Sequence, residues 1–336
     1  MDTSTNGPGR LKQLRLREGL TQVAFAEAID SSQYHVSRME QGEEPIPVAV
    51  FAQATRKFRL PADYFSRPPH TYGRASLNFR RTKMPKKLQD RINAHFAELE
   101  ETVQETQLTI PQANIAIERP DTNGVLSLEA ISEIADSVRA TLRLGSGPIG
   151  NVTRSMESAG IVVAPLKIEG LVLDEFEGVS SPQPNPRIRV TAYAPSRSGD
   201  RHRFTLAHEL GHLVLHALTR PESESVRELE AHMFAGAFLL PRELIADVIC
   251  ETTTLTQFAE IKSRTGVSIQ AIIRRARDLS LITPERHKSL SIQISSRGWR
   301  KEEPVEVQME REILYPQILK EIESRNVISI FAPKGH

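Results

Sequence analysis

The sequence predicts a mostly helical α+β protein. An all-α N-terminal domain is followed by a larger domain in which many helices surround a small sheet. Three observations predict this. Between residues 10 and 65 the apolar residues fall in short groups with spacings of three and four, each group marking one buried helical face. The run Ser66-Arg67-Pro68-Pro69 then interrupts the pattern. Beyond it, two short β-branched runs at 160–165 and 187–193 stand among long helical segments.

The length of 336 residues suffices for two cores. The division expected is a disordered tail (1–9), a helical domain (10–66), a basic linker (67–90), a second domain (91–250) and a C-terminal helical region (251–336). An apolar fraction of 39% and a charged fraction of 25% are ordinary for a globular chain. No run approaches the roughly 20 apolar residues of a membrane span, so no membrane partner is expected. The opening MDTSTNGPGR lacks the apolar centre of a signal peptide. Cys250 is the single cysteine, which excludes an intrachain disulfide and a thiolate metal cluster. A cytoplasmic location follows as the expectation.

In the first domain, Leu11, Leu14 and Leu20 precede the groups Phe25/Ala26/Ile29, Val36/Met39 and Phe51/Ala54/Phe58. Thr21 suits the N-cap of a helix burying Phe25, Ala26 and Ile29. Asp30 sits at a turn, and Ser31 or Ser32 can cap the next helix. That helix buries Val36 and Met39 and leaves Gln33, Tyr34, His35 and Arg38 outside. Gly42 supplies a left-handed stop. Such a pair of helices serves either DNA reading or protein contacts.

TQVAFAEAIDSSQYHVSRMEQG resembles the helix-turn-helix of phage-repressor and Xre-type regulators, over about the first 65 residues. The resemblance implies operator DNA as a partner. It puts Gln33, Tyr34 and Arg38 against base edges and Gln22 against a phosphate. Glutamine can pair with adenine and arginine with guanine in the major groove. The related regulators usually have Gly where Asp30 stands, but Asp tolerates the left-handed conformation. A single module predicts a homodimer, because two half-sites need two readers. Downstream, Arg67, Arg74, Arg80, Arg81, Lys83, Lys86, Lys87 and Arg91 oppose the single acid Asp90. This strip reads as a solvated linker or as a contact to phosphates.

In the second domain, helices are expected over 86–107 and 128–144, with a dominant helical pattern from Arg203 onward. His208-Glu209-Leu210-Gly211-His212 carries the strongest chemical signal. Histidines four apart project from one helical face, so both imidazoles can reach one zinc ion. Glu209 beside them can take a proton from water attacking a peptide carbonyl. Leu206, Ala207, Leu210, Leu213, Val214 and Leu215 supply a buried surface, and Gly211 lets another element pass close. A catalytic zinc needs a third protein ligand. Glu228 and His232 share a face of a later helix. Glu230 and His216 remain further candidates, His216 also serving as an anchor for the helix end.

This constellation resembles the ImmA/IrrE family of zinc peptidases, a zincin-like fold. The matches are His208, Glu209, Gly211 and His212, then Glu228, Ala231, Phe234, Ala235 and Leu239-Leu240-Pro241. The resemblance implies Zn2+ as cofactor and Glu228 as third ligand; His232 stands where that family usually has Asn or Asp. Phe79-Arg80-Arg81-Thr82-Lys83, residues 268–282, Gly298-Trp299-Arg300 and Glu303-Pro304 look like the long members that carry an Xre module in front. Within 268–282, Ile269, Ile272, Ile273 and Leu279 are expected inside and Arg274, Arg275 and Arg277 at the surface. Pro241 fits the first turn of a new helix. Three functions are compatible with these features: a regulator whose peptidase domain cuts a protein partner or repressor, a regulator whose zinc domain senses without cutting, and an antitoxin that binds a toxin and represses its own operon.

Overall fold

The structure, a computed structural model, describes residues 6–70, 72, 84–118, 124–170, 176–181, 187–195, 198–219 and 221–331, with side chains to residue 325. Phe79 and the basic residues Arg74, Arg80, Arg81 and Lys83 lie outside the described residues. The chain divides into two compact units, one of residues 1–77 with 83–102 and the other of 78–82 with 103–336.

The first unit holds α1 (Gly7–Arg17), α2 (Gln22–Ala28), α3 (Gln33–Gln41), α4 (Val48–Phe58), a single 3-10 turn (Tyr64–Ser66) and nearly all of α5 (Lys86–Gln104). Capping follows the sequence closely. Thr21 accepts from the Ala24 amide at 3.2 Å and Ser32 from the His35 amide at 3.3 Å. Asp30 adopts φ 53° and Gly42 φ 75°, so both sharp turns use the left-handed region. Leu11, Leu14, Phe25, Ile29, Val36, Met39 and Ala54 close the core.

Two expected boundaries shift. Helix α1 already begins at Gly7, with Pro8 in its first turn where a missing N–H costs nothing, so residues 7–9 are not a tail. Helix α5 clusters with the first unit and not with the domain expected from residue 91. Its acids explain this: Glu101 pairs with Arg10 at 2.9 Å, and Glu98 meets Arg17 at 3.0 Å and the Tyr64 hydroxyl at 2.8 Å.

The second unit runs α6 (Leu128–Thr141), α7 (Val152–Ser158), β1 (Ile161–Pro165), β2 (Gly178–Ser180), β3 (Arg189–Tyr193), α8 (Gly199–Leu215), α9 (Glu224–Leu239), α10 (Arg242–Ile245), α11 (Leu255–Thr265), α12 (Ile269–Asp278), α13 (Pro284–Ser296) and α14 (Leu314–Phe331). The sheet order is β1-β3-β2. Strand β3 runs parallel to β1, with Ile161 opposite Arg189, and antiparallel to β2, with Ser180 opposite Thr191. Strand β2 was not expected, since three residues are too few to show an alternation.

Helix α8 is buried almost throughout because it packs against the sheet and α9 together. Gly211 makes that approach possible, since a Cβ there would lie 3.1 Å from the Ala231 Cα. Phe234, Phe238, Phe258, Ile272 and Leu290 join the same core, so the C-terminal helices belong with the core of the second unit rather than forming a region of their own. Arg275, expected at the surface, is 2% exposed. Its guanidinium donates to the Leu240 carbonyl and the Ser132 hydroxyl, both at 3.2 Å, which ties α12 to the end of α9 and to α6. Arg274 and Arg277 are exposed as expected. Pro241 is the N-cap of α10 rather than a residue inside its first turn. No helix among the described residues is long and apolar enough to cross a membrane.

Candidate metal centre and nucleic-acid interface

Helix α8 turns His208 and His212 toward one point, as the four-residue spacing requires. Their Nε2 atoms lie 3.1 Å apart. Helix α9 passes close enough at Gly211 to bring Glu228 to the same point, its Oε2 3.2 Å from His208 Nε2 and its Oε1 3.2 Å from His212 Nε2. Among the described residues, His208, His212 and Glu228 are the group whose donor atoms converge in this way.

The polar balance of this cluster fits a cation. Two imidazole nitrogens at hydrogen-bond distance from each other need lone pair against N–H, yet both also face the same carboxylate. Both Glu228 oxygens are buried without a well-aligned hydrogen bond, a costly state in a protein interior. Burial alone would raise the Glu228 carboxyl; the adjacent imidazoles override this and hold it well below the usual carboxylate range. Burial drives the His212 imidazole down to about 3, with Glu228 opposing the shift, so the ring stays neutral with a lone pair to offer. Two imidazoles and one carboxylate form a donor set suited to zinc, which takes four ligands.

Glu209, the next residue on α8, is 3% exposed, and its carboxylate meets strand β2. Its Oε2 accepts from the Ser180 hydroxyl at 2.7 Å. The absence of a side chain at Gly178 gives it space, since a Cβ there would come within 2.8 Å of Glu209 Oε1. Neither Ser180 nor Gly178 was found from the sequence.

In the first unit, α3 presents Gln33, Tyr34 and His35 to solvent, with Arg38 partly exposed one turn on. Gln22 opens α2 beside them, its Oε1 accepting from Gln33 Nε2 at 3.0 Å and its own Nε2 donating to Glu40 at 3.1 Å. Arg38 donates to the Tyr34 hydroxyl at 3.0 Å, and its guanidinium lies 5.6 Å from that ring's centre. The four residues expected to meet DNA thus share one surface of the α2–α3 pair.

Residues 9–64 match the helix-turn-helix domain family, and residues 156–277 match the IrrE N-terminal-like domain of peptidase family M78. The chain carries a helix-turn-helix DNA-binding domain followed by an IrrE-like domain. Over 57 residues the chain is 47% identical to the HTH-type transcriptional regulator PrpR of Mycobacterium tuberculosis (strain ATCC 25618 / H37Rv). That stretch covers 17% of this chain and 12% of PrpR.

Within the IrrE-like domain the remaining candidate ligands lie elsewhere. His216 caps the C-terminus of α8, with Nδ1 3.0 Å from His212 Nδ1 and Nε2 3.0 Å from Glu230 Oε2. Glu230 is fully buried and also accepts from the Leu126 amide at 2.8 Å. His232 lies tilted against Phe204, ring centres 5.0 Å apart. His216 and Glu230 therefore stand behind His212 rather than beside the three donors.

Proposed function

We propose that this protein is a transcriptional regulator that reads operator DNA as a homodimer. Its IrrE-like domain is a zinc-dependent peptidase acting on a protein partner or repressor. The convergence of His208, His212 and Glu228 beside the buried carboxylate of Glu209 carries this reading. A structural zinc is normally closed by four protein ligands, whereas three protein donors with a neighbouring carboxylate suit hydrolysis.

His208, His212 and Glu228 would hold the ion. Zinc, when bound, supplies a Lewis acid that polarises the scissile carbonyl and acidifies a nearby water. Glu209 takes the proton of that water as its oxygen attacks the carbonyl carbon. It then delivers the proton to the amide nitrogen as the C–N bond breaks. The Ser180 hydroxyl fixes one Glu209 oxygen and so sets the direction of the other. Gln33, Tyr34 and Arg38 meet base edges while Gln22 meets the backbone.

The discriminating experiment co-expresses this chain with candidate partner proteins, first those encoded beside it, in wild-type and Glu209→Gln forms. A partner shortened by the wild type and left whole by the variant supports the peptidase. A partner held by both forms without cleavage would assign the domain to sensing or to toxin binding instead.

A further inference from the structure

The contacts behind His212 form a directed chain. Glu230 Oε2 lies 3.0 Å from His216 Nε2, and His216 Nδ1 lies 3.0 Å from His212 Nδ1. The Leu126 amide donates to Glu230 Oε1 at 2.8 Å. His216 is 3% exposed and Glu230 fully buried, so water does not substitute for these partners. We infer that Glu230 and His216 are positioning residues that lock His212 in the tautomer whose Nε2 lone pair faces the cation position. This rests on the metal-centre reading proposed above.

The direction follows from donor and acceptor chemistry alone. A carboxylate only accepts, so the His216 nitrogen facing Glu230 carries the proton. A neutral imidazole then has a lone pair at its other nitrogen, which is Nδ1. That lone pair faces His212 Nδ1, so the His212 proton sits there. Nε2 of His212 is left as an acceptor, and this is the atom that lies 3.1 Å from His208 Nε2 and 3.2 Å from Glu228. Reversing any one ring sets N–H against N–H or a lone pair against the carboxylate. The amide of Leu126 occupies the second oxygen of Glu230, so a glutamine there could not satisfy both neighbours in one orientation.

A metal-binding imidazole whose far N–H is held by such a partner is oriented and made more basic, and loss of the partner typically weakens metal binding about 10- to 100-fold. The same arrangement explains why two candidate ligands of the sequence, His216 and Glu230, serve the site without touching the ion. It also couples the site to residue 126 at the entry of α6, through a backbone amide rather than a side chain.

The test is a zinc titration of the purified full-length protein against a competing chelator, with folding of each variant checked by far-UV circular dichroism. His216→Asn keeps an oxygen acceptor near the Nδ1 position and should bind zinc close to the wild type. His216→Phe fills the space better yet offers no acceptor, and should bind about 10- to 100-fold more weakly. Glu230→Gln, nearly isosteric, should weaken binding over the same range and covers the case in which the phenylalanine variant does not fold. Affinity that follows packing, with His216→Phe equal to the wild type or His216→Asn equally weakened, overturns the proposal while leaving the metal centre intact. A wild-type protein that takes up no zinc overturns the metal centre itself, and this chain with it. In the zinc-loaded wild type, imidazole nitrogen resonances should show Nδ1–H on His212 and Nε2–H on His216; the opposite protonation of His216 refutes the direction.

Discussion

The Ser180 hydroxyl donates to Glu209 Oε2 across 2.7 Å, tying the short strand β2 to the helix that carries His208 and His212. Ser180 also lies 3.2 Å from the Thr191 hydroxyl on β3, so the sheet register itself fixes the direction of the carboxylate. A general base must hold its reactive oxygen within hydrogen-bond reach of the water it deprotonates, and a misplacement of about 1 Å can cost roughly 100-fold.

Ser180→Ala should therefore leave zinc content unchanged and slow partner cleavage roughly 10- to 100-fold. Gly178→Ala should act in the same direction, because its Cβ would meet Glu209 Oε1 at 2.8 Å. Cleavage at the wild-type rate in both variants would show that Glu209 is not held by β2 for catalysis.

On the surface shared by α2 and α3, Arg38 is held by the Tyr34 hydroxyl and approaches Glu44 at 3.7 Å. Arg38→Ala should lower the preference for operator over unrelated DNA by about 1–3 kcal/mol at fixed salt. Gln22→Ala, which removes the proposed backbone contact, should weaken binding to all sequences alike. Competition binding measures both effects. An unaltered preference in the Arg38 variant would remove it from the set of base readers.

The helix-turn-helix also contains an ion pair that the sequence did not expose. Glu40, with its side chain 3% exposed, receives Arg15 through two bonds at 2.6 and 2.9 Å, and Gln22 through a third at 3.1 Å. Removing one partner leaves the other charge buried and uncompensated. Glu40→Ala should destabilise the module by about 3–5 kcal/mol and abolish operator binding. Thermal unfolding followed by circular dichroism tests this; a transition at the wild-type temperature would contradict it.

Acid should act on the same unit. Burial, reinforced by the charges of Arg17 and Arg91, pushes the His95 imidazole down to about 4. The unfolded chain binds this proton near pH 6.5 and the folded one only near pH 4, so stability falls as pH drops through that window and is unaffected by His95 above it. Nuclear magnetic resonance titration should place His95 near 4. His95→Phe should flatten the decline in stability between pH 6.5 and 4, and an unchanged slope would mean that other groups carry it.

The helical parts of the fold were legible in the sequence wherever one residue decided the local geometry. Thr21, Ser32 and Gly42 act at the caps for reasons visible in their own side chains, and the His208–His212 spacing fixes convergence because a helix has one period. The approach of α9 was legible in Gly211, whose missing side chain marked a close crossing. Other features depended on distant partners. Whether α5 joins the first or second core is decided by Arg10, Arg17 and Tyr64, which its amphipathic pattern does not name. Arg275 looked like a surface residue because its neighbours are arginines, but the Leu240 carbonyl and Ser132 draw it inside. Strand β2 was too short to carry a pattern, and Ser180 with Gly178 went unseen for that reason. His216 and Glu230 were recognised as chemically able to bind metal; their place behind His212 is a tertiary fact.

His208, His212 and Glu228 are proposed to share one divalent ion. Metal analysis of the purified protein, with parallel His208→Ala and Glu228→Ala variants, tests it most directly. About one zinc per wild-type chain is expected, lost from both variants after mild chelation. Zinc retained in full by either variant, or wild-type protein that takes up none when zinc is supplied, would contradict it.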